Sequence, residues 1–314
     1  MKKIAIIGAG QMAEEYIKVL KELNIETICI CRSDSSAHNL QKKYSINSFS
    51  GGVENNREVI SMIDEAIVAV DLLNLENVAS KLIEFKVKNI LLEKPGSLTS
   101  QGIQRLIKMQ NEYNNNVFIA YNRRFFQSVK KLKELILKDG GLTSISFSFT
   151  EWSDQVAKLN YEESILKKWL ICNSSHVIDL FIFLAGNPKL FHSYTSGKLD
   201  WHDSGAIFSG NGITVNDIPF SYHSDWSSSG RWSIYAYTSK NKFILEPMEE
   251  LKAVEKNSVA VNSINLKNAK IDQKFKPGIY FQTESFCKNN FNDLCDLNSH
   301  LKHMKFYEKI ANYD

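Results

Sequence analysis

Ile4-Ala5-Ile6-Ile7-Gly8-Ala9-Gly10-Gln11-Met12-Ala13 is the stretch on which the reading of this chain turns. The unbroken apolar run Ile4 to Ile7 is the pattern of a strand buried on both faces of a parallel sheet. A G-x-G-x-x-A turn follows at once, and Glu14 to Leu23 then reads as a helix. Gly8 permits the tight turn, Gly10 lets the backbone approach a pyrophosphate, and Ala13 is small enough for close helix–strand packing. The helix start attracts the phosphates through its free N–H groups and its dipole. In this strand–turn–helix context the motif predicts dinucleotide binding, with Gly8, Gly10, Gln11 and Met12 against the cofactor. Met1-Lys2-Lys3 before the apolar run imitates a signal peptide, but the run is shorter than the roughly 7–15 residues of such a core.

Further strand–helix units follow. The second strand spans Thr27 to Cys31 and ends in Cys31-Arg32-Ser33. A site for NAD usually has Asp or Glu at this point to hold the ribose 2′-hydroxyl. Arg32 and Ser33 suit a 2′-phosphate instead, so NADP is the expected cofactor and NAD the alternative; Asp34 nearby tempers that preference. Ala66 to Val70, Asn89 to Leu92 and Val117 to Ala120 read as more parallel strands, with a helix from Glu76 to Phe85. Alternating strands and helices predict a doubly wound α/β sheet, a Rossmann domain over residues 1–120. Ligands bind beyond the carboxyl ends of such strands, which nominates Asp71, Leu72, Glu93, Lys94 and Arg123 for the cofactor. Pro95, the first proline in the chain, fixes the turn after Glu93-Lys94.

The pattern changes in residues 121–314, expected to form a substrate-binding and oligomerisation domain. All five tryptophans (Trp152, Trp169, Trp201, Trp226 and Trp232) lie there. Ser144 to Thr150 alternates apolar and polar residues, the mark of a half-buried antiparallel strand. Pro219 to Trp226 and Arg231 to Leu245 read as further long strands with Ser- and Lys-rich turns. An α+β domain with a large, mostly antiparallel open sheet follows. Glu163 to Ile171 reads as an amphipathic helix. Asn173-Ser174-Ser175 offers caps for a helix from His176 to Ala185, stopped by Gly186 and Pro188. A histidine in a first helical turn feels the positive end of the dipole and stays neutral, able to accept a proton at pH 7.

Composition removes other classes. The chain has 314 residues, 43% hydrophobic and 23% charged, with a formal charge of +3. Basic and acidic residues nearly balance on both sides of residue 120, so no nucleic-acid footprint exists. No apolar run approaches a membrane span. Five scattered cysteines without a C-x-x-C suit a reducing, cytoplasmic setting and no zinc ribbon. No metal site is expected, and His300-x-x-His303 reads as an exposed helix face.

Taken together, Gly8-x-Gly10-x-x-Ala13, Glu93-Lys94-Pro95, Asn122-Arg123-Arg124-Phe125 and His176-x-x-Asp179 resemble the Gfo/Idh/MocA family of NAD(P)-dependent sugar and polyol oxidoreductases. Phe275-Lys276-Pro277-Gly278-Ile279-Tyr280 is similar to a late loop common in that family. The resemblance implies a Rossmann domain followed by an α/β domain whose open sheet makes a dimer or tetramer. It also implies Lys94 and His176 as the catalytic pair, either of them the base. One departure stands out. The family usually carries an acid four positions before this histidine, and here Cys172 occupies that place beside Asn173. The stretch Leu170 to Leu184 looks most like members from bacterial surface-polysaccharide gene clusters, which implies a sugar or nucleotide-sugar substrate. Arg124, Trp169, Asn173 and Asp179 are the expected substrate contacts. Two other readings remain open at this point: a cofactor-binding regulator or scaffold of the same fold, and a reductase of a non-sugar substrate.

Overall fold

The chain is described by a computed structural model covering residues 3–267 and 269–313. It divides into two units. The first comprises residues up to 122 together with 273–301, and the second comprises 123–272 together with 302–314. A single crossing at residue 120 was the sequence expectation; the chain instead returns to the first unit after residue 272.

The first unit is built on a seven-stranded sheet in the order β15-β6-β5-β4-β1-β2-β3. Its strands are β1 (Lys3–Ile7), β2 (Glu26–Ile30), β3 (Asn47–Phe49), β4 (Glu65–Val68), β5 (Asn89–Glu93), β6 (Asn116–Ala120) and, from the returning segment, β15 (Cys295–Asp296). All neighbours pair in parallel except this last strand, which lies antiparallel along β6. Ile4 to Ile7 is at most 3% exposed, as its run of apolar residues requires. The helices Gln11–Glu22, Leu75–Glu84 and Ser100–Tyr113 connect these strands. The returning segment adds the helix Ile279–Cys287, which packs on Gln11–Glu22.

The second unit carries an eight-stranded sheet. Its strands are β7 (Ser144–Phe149), β8 (Pro188–Ser196), β9 (Ile207–Thr214), β10 (Pro219–Asp225), β11 (Trp232–Tyr237), β12 (Asn241–Leu245), β13 (Lys252–Glu255) and β14 (Asn262–Ser263). They run in the order β14-β13-β12-β11-β7-β10-β9-β8, and only β7 and β10 pair in parallel. Ile145, Phe147 and Phe149 are buried, and Phe147 stacks on Phe181 of the helix Ser175–Ala185 at 4.6 Å. The fold class therefore matches the sequence reading.

Two local expectations fail for physical reasons. The helix expected over 163–171 is a single short turn, Glu163–Leu166, followed by a π-helical turn, Leu170–Ser174. Trp169 to Cys172 are all buried, so no one-sided helix can hold them. This turn runs straight into Ser175–Ala185 without a capping side chain, so His176 lies inside a helical run rather than at its open start. Gly186 and Pro188 do stop the helix, which ends at Ala185, and Pro188 also opens a strand that the sequence did not mark. That strand shows little apolar alternation, with Leu190 and Tyr194 exposed, and periodicity gave no signal for it.

Among the described residues no helix is long and apolar enough to cross a membrane.

Candidate functional site

The cofactor candidates of the first unit lie at or just past the carboxyl ends of parallel strands, Glu93 being the last residue of β5. Gly8 to Met12 follows β1, Arg32 and Ser33 follow β2, Asp71 and Leu72 follow β4, and Lys94 follows β5. Gly8 has φ +125°, and a Cβ there would fall 2.2 Å from the Ala69 carbonyl oxygen. No other residue fits that approach. Gly10 precedes the helix Gln11–Glu22, and a Cβ on it would meet nothing within 4 Å. The helix start therefore faces open space and can receive an anion, while Ala13 behind it is fully buried. These residues fit a dinucleotide pyrophosphate.

The side chains around β2 are less committed. Arg32 lies 3.9 Å from Asp71, with the two side chains 85% and 73% exposed. Such a surface pair holds neither group firmly. Ser33 caps the helix Asp34–Tyr44, accepting from the Ser36 N–H at 3.3 Å and donating to Ser36 Oγ at 2.9 Å. Its hydroxyl thus serves the helix start.

Beside the Lys94–Pro95 peptide, which is cis, Glu93 accepts a 2.7 Å hydrogen bond from the buried Tyr16 hydroxyl. Burial pushes the Glu93 carboxyl up, against the opposing pull of the Tyr16 bond and the Lys94 and Lys276 charges. Burial and the neighbouring Glu93 raise the Tyr16 phenol well above its ordinary range. Tyr16 also reaches Gln282 at 3.3 Å. Nothing in residue spacing linked Tyr16, Gln282 or Lys276 to this corner; they arrive through the packing of the two helices.

In the second unit, the centre is Glu151, a residue the sequence reading passed over. It follows β7 and is 2% exposed. Its carboxylate accepts from Asn173 Nδ2 at 3.1 Å to both oxygens, from Ser174 Oγ at 2.6 Å and from Trp232 Nε1 at 3.3 Å. Arg231 Nη1 stands 3.6 Å away. Burial raises the Glu151 carboxyl despite these donors. The guanidinium groups of Arg123 and Arg231 lie 4.5 and 4.6 Å from the Trp232 ring, an arrangement favoured by cation–π attraction. His176, 7% exposed, has its ring 6.2 Å from the same indole. The π-helical turn that carries Asn173 and Ser174 is tied to Glu151, and such turns recur at functional sites. Arg123, expected against the cofactor, is thus placed on Trp232.

Several expected substrate contacts are spent internally. Arg124 binds Asp179 through two hydrogen bonds of 2.8 and 2.6 Å, and His303 Nδ1 lies 3.2 Å from the same carboxylate. The Arg124 and Asp179 side chains are 7% and 1% exposed. Burial alone would raise the Asp179 carboxyl, but Arg124 and His303 hold it below its ordinary value. Two charges this well paired and this deep serve structure rather than a ligand. Trp169 is also buried, set against Tyr161 and edge-on to Trp201 at 6.4 Å. Asn173 alone among the four expected contacts remains partly exposed. His300 and His303 are corrected as well: both are buried, His300 bonding the Pro95 carbonyl at 2.9 Å in the first unit and His303 facing Asp179 in the second.

Residues 2–121 match the GFO_IDH_MocA family model, an oxidoreductase family with an NAD-binding Rossmann fold. Among solved structures, the chain resembles UDP-N-acetylglucosamine 3-dehydrogenase GnnA from Acidithiobacillus ferrooxidans, with TM-score 0.76, 11% identity, and 99% of this chain and 96% of that one covered. An oxidoreductase from Agrobacterium radiobacter, solved with NAD+, L-tartaric acid and magnesium, gives TM-score 0.77 at 13% identity over 100% and 97% of the two chains. A levoglucosan dehydrogenase solved with NADH gives 0.78 at 14% over 99% and 96%. At these identities the likeness shows the fold. Comparison with curated protein sequences gives no match.

Proposed function

We propose, for a chain whose residues 2–121 are the NAD-binding Rossmann domain of the Gfo/Idh/MocA oxidoreductase family, hydride transfer at a hydroxyl or keto carbon of a sugar or nucleotide sugar. NADP is the preferred cofactor in this reading, with NAD as the alternative. One observation carries it: the Gly8–Met12 turn and Lys94 follow the carboxyl ends of β1 and β5, the two strands that flank β4 in the middle of the sheet. Two of the similar structures are named as dehydrogenases of a nucleotide sugar and of levoglucosan, which supports the substrate class.

The cofactor, when bound, exchanges hydride at its nicotinamide. The chain's own residues do the rest. The open helix start after Gly10 binds the pyrophosphate. Arg32, with Ser33 at its side, meets the 2′-phosphate. Lys94 and His176 divide the remaining work: one takes the hydroxyl proton, and a cation steadies the developing alkoxide. Asn173, its amide nitrogen held by Glu151, presents Oδ1 to a substrate hydroxyl. We also propose that the second unit self-associates as a dimer or tetramer through the exposed face of its sheet, where Leu190 and Tyr194 are 68% and 74% exposed. Light scattering on the purified protein tests that assembly.

Fluorescence titration with NADPH and NADH tests the cofactor. Tighter NADPH binding is expected; folded protein that binds neither overturns the dinucleotide reading. Lys94→Ala is expected to cut turnover by about a hundredfold or more while cofactor affinity moves by less than about threefold. Near-normal turnover in that variant removes Lys94 from the chemistry.

A further inference from the structure

Lys276 was expected only as part of a late loop, and the structure puts it at the dinucleotide turn. The segment after residue 272 returns to the first unit. Asn122 Nδ2 holds its Pro277 carbonyl at 2.9 Å, and Phe275 packs on Tyr280 with ring centres 5.4 Å apart. Gly278, at φ +76°, then turns the chain into the helix Ile279–Cys287, which lies along Gln11–Glu22. A loop tied at both ends presents its side chain in a defined place. The Lys276 ammonium sits 2.9 Å from Met12 Sδ, at the second residue of the helix that opens after Gly10. It is also close enough to Glu93 for its charge to favour the ionised carboxylate.

A thioether is a weak acceptor, so an ammonium gives up that contact at little cost. Its place matters more than the contact. Helix N–H groups and a lysine on one phosphate combine directional donors with a full charge, and a charge-assisted bond is about twice as strong as a neutral one. We propose that Lys276 is a cofactor-binding residue whose ammonium pairs with the dinucleotide pyrophosphate at the Gly8–Met12 turn. This rests on the dinucleotide reading above and adds a ligand from outside residues 2–121. The lysine supplies a cation to a turn whose helix carries the acidic Glu14 in its first turn.

The test is a binding titration with NADPH and NADP+, repeated with NADH and NAD+, on the full chain and on Lys276→Met. The expected result is an affinity loss of about tenfold, equal for the oxidised and reduced forms of a given cofactor, because both carry the same pyrophosphate. Added salt should weaken binding more steeply in the unaltered protein than in the variant. Lys276→Arg should recover most of the affinity. Lys274→Met, which removes a 2.6 Å surface pair with Glu22 and a 5.2 Å cation–π contact over Phe275, should leave it unchanged. An unchanged affinity in Lys276→Met overturns the assignment. So does a loss that differs between oxidised and reduced forms, since that places the ammonium by the nicotinamide, whose charge changes. Unaltered protein that binds none of the four dinucleotides overturns the dinucleotide reading itself, a result distinct from either.

Discussion

Asp179 and Glu151 belong to the same unit, are 1% and 2% exposed, and each lies near an arginine. Asp179 is clamped by Arg124 with bonds of 2.8 and 2.6 Å, and its carboxyl is held low. Glu151 stands 3.6 Å from Arg231, relies on an amide, a hydroxyl and an indole, and is held high. Ion pairing with matched geometry cancels the loss of water around a buried charge; neutral donors only reduce it. The first carboxylate is therefore structural cement with nothing left to offer. The second is a buried acceptor that orders the π-helical turn bearing Asn173, next to the indole that adjoins His176. It also provides a buried acid in the unit that carries the buried Cys172.

The strongest way to break this contrast is Asp179→Ala. It strands the buried Arg124 guanidinium, and a loss of about 3–5 kcal/mol in urea unfolding is expected. A loss below about 1 kcal/mol would show that the pair is not cement. Glu151→Ala should cost less, about 1–3 kcal/mol, because it leaves neutral donors without an acceptor.

The pH dependence sharpens the contrast through its sign. Asp179 has a folded pKa below the ordinary 3.8, so its contribution is present above that value and lost as pH falls through the folded pKa. Glu151 has a folded pKa above the ordinary 4.5, so its contribution is fully present below 4.5 and lost as pH rises through the folded pKa. Urea midpoints of Asp179→Asn and Glu151→Gln, followed against pH beside the unaltered protein, should therefore diverge in opposite directions. Parallel trends would mean that the two carboxylates are held alike. The smallest effect belongs to Cys172→Ala. Cys172 is 1% exposed, and removing its sulfur should cost about 1 kcal/mol of stability with turnover kept within about threefold. A large loss of turnover would restore a chemical role to that position.

Legibility followed chain distance. The strand, turn and helix from Ile4 to Ala13 were readable because each role is set by neighbours a few residues away. So were the Glu93-Lys94-Pro95 strand end and the alternation of Ser144 to Thr150. The helix expected over 163–171 failed because burial on every side erases the one-sided pattern that periodicity detects. β8 failed for the opposite reason: its outward residues mix Leu190 and Tyr194 with polar ones, so no alternation marks it.

The sequence by itself determined the layered α/β architecture, the dinucleotide turn and the strand-end position of Lys94. Local sterics and apolar periodicity act within one turn or one strand and need no distant partner. Tertiary structure alone decided the internal pairing of Arg124 with Asp179, the hub at Glu151 and the return of Lys276 to Met12, 264 residues away along the chain. Those contacts depend on how separate elements pack, and a charged or polar side chain looks the same in sequence whether it meets water, a ligand or its own buried counterion.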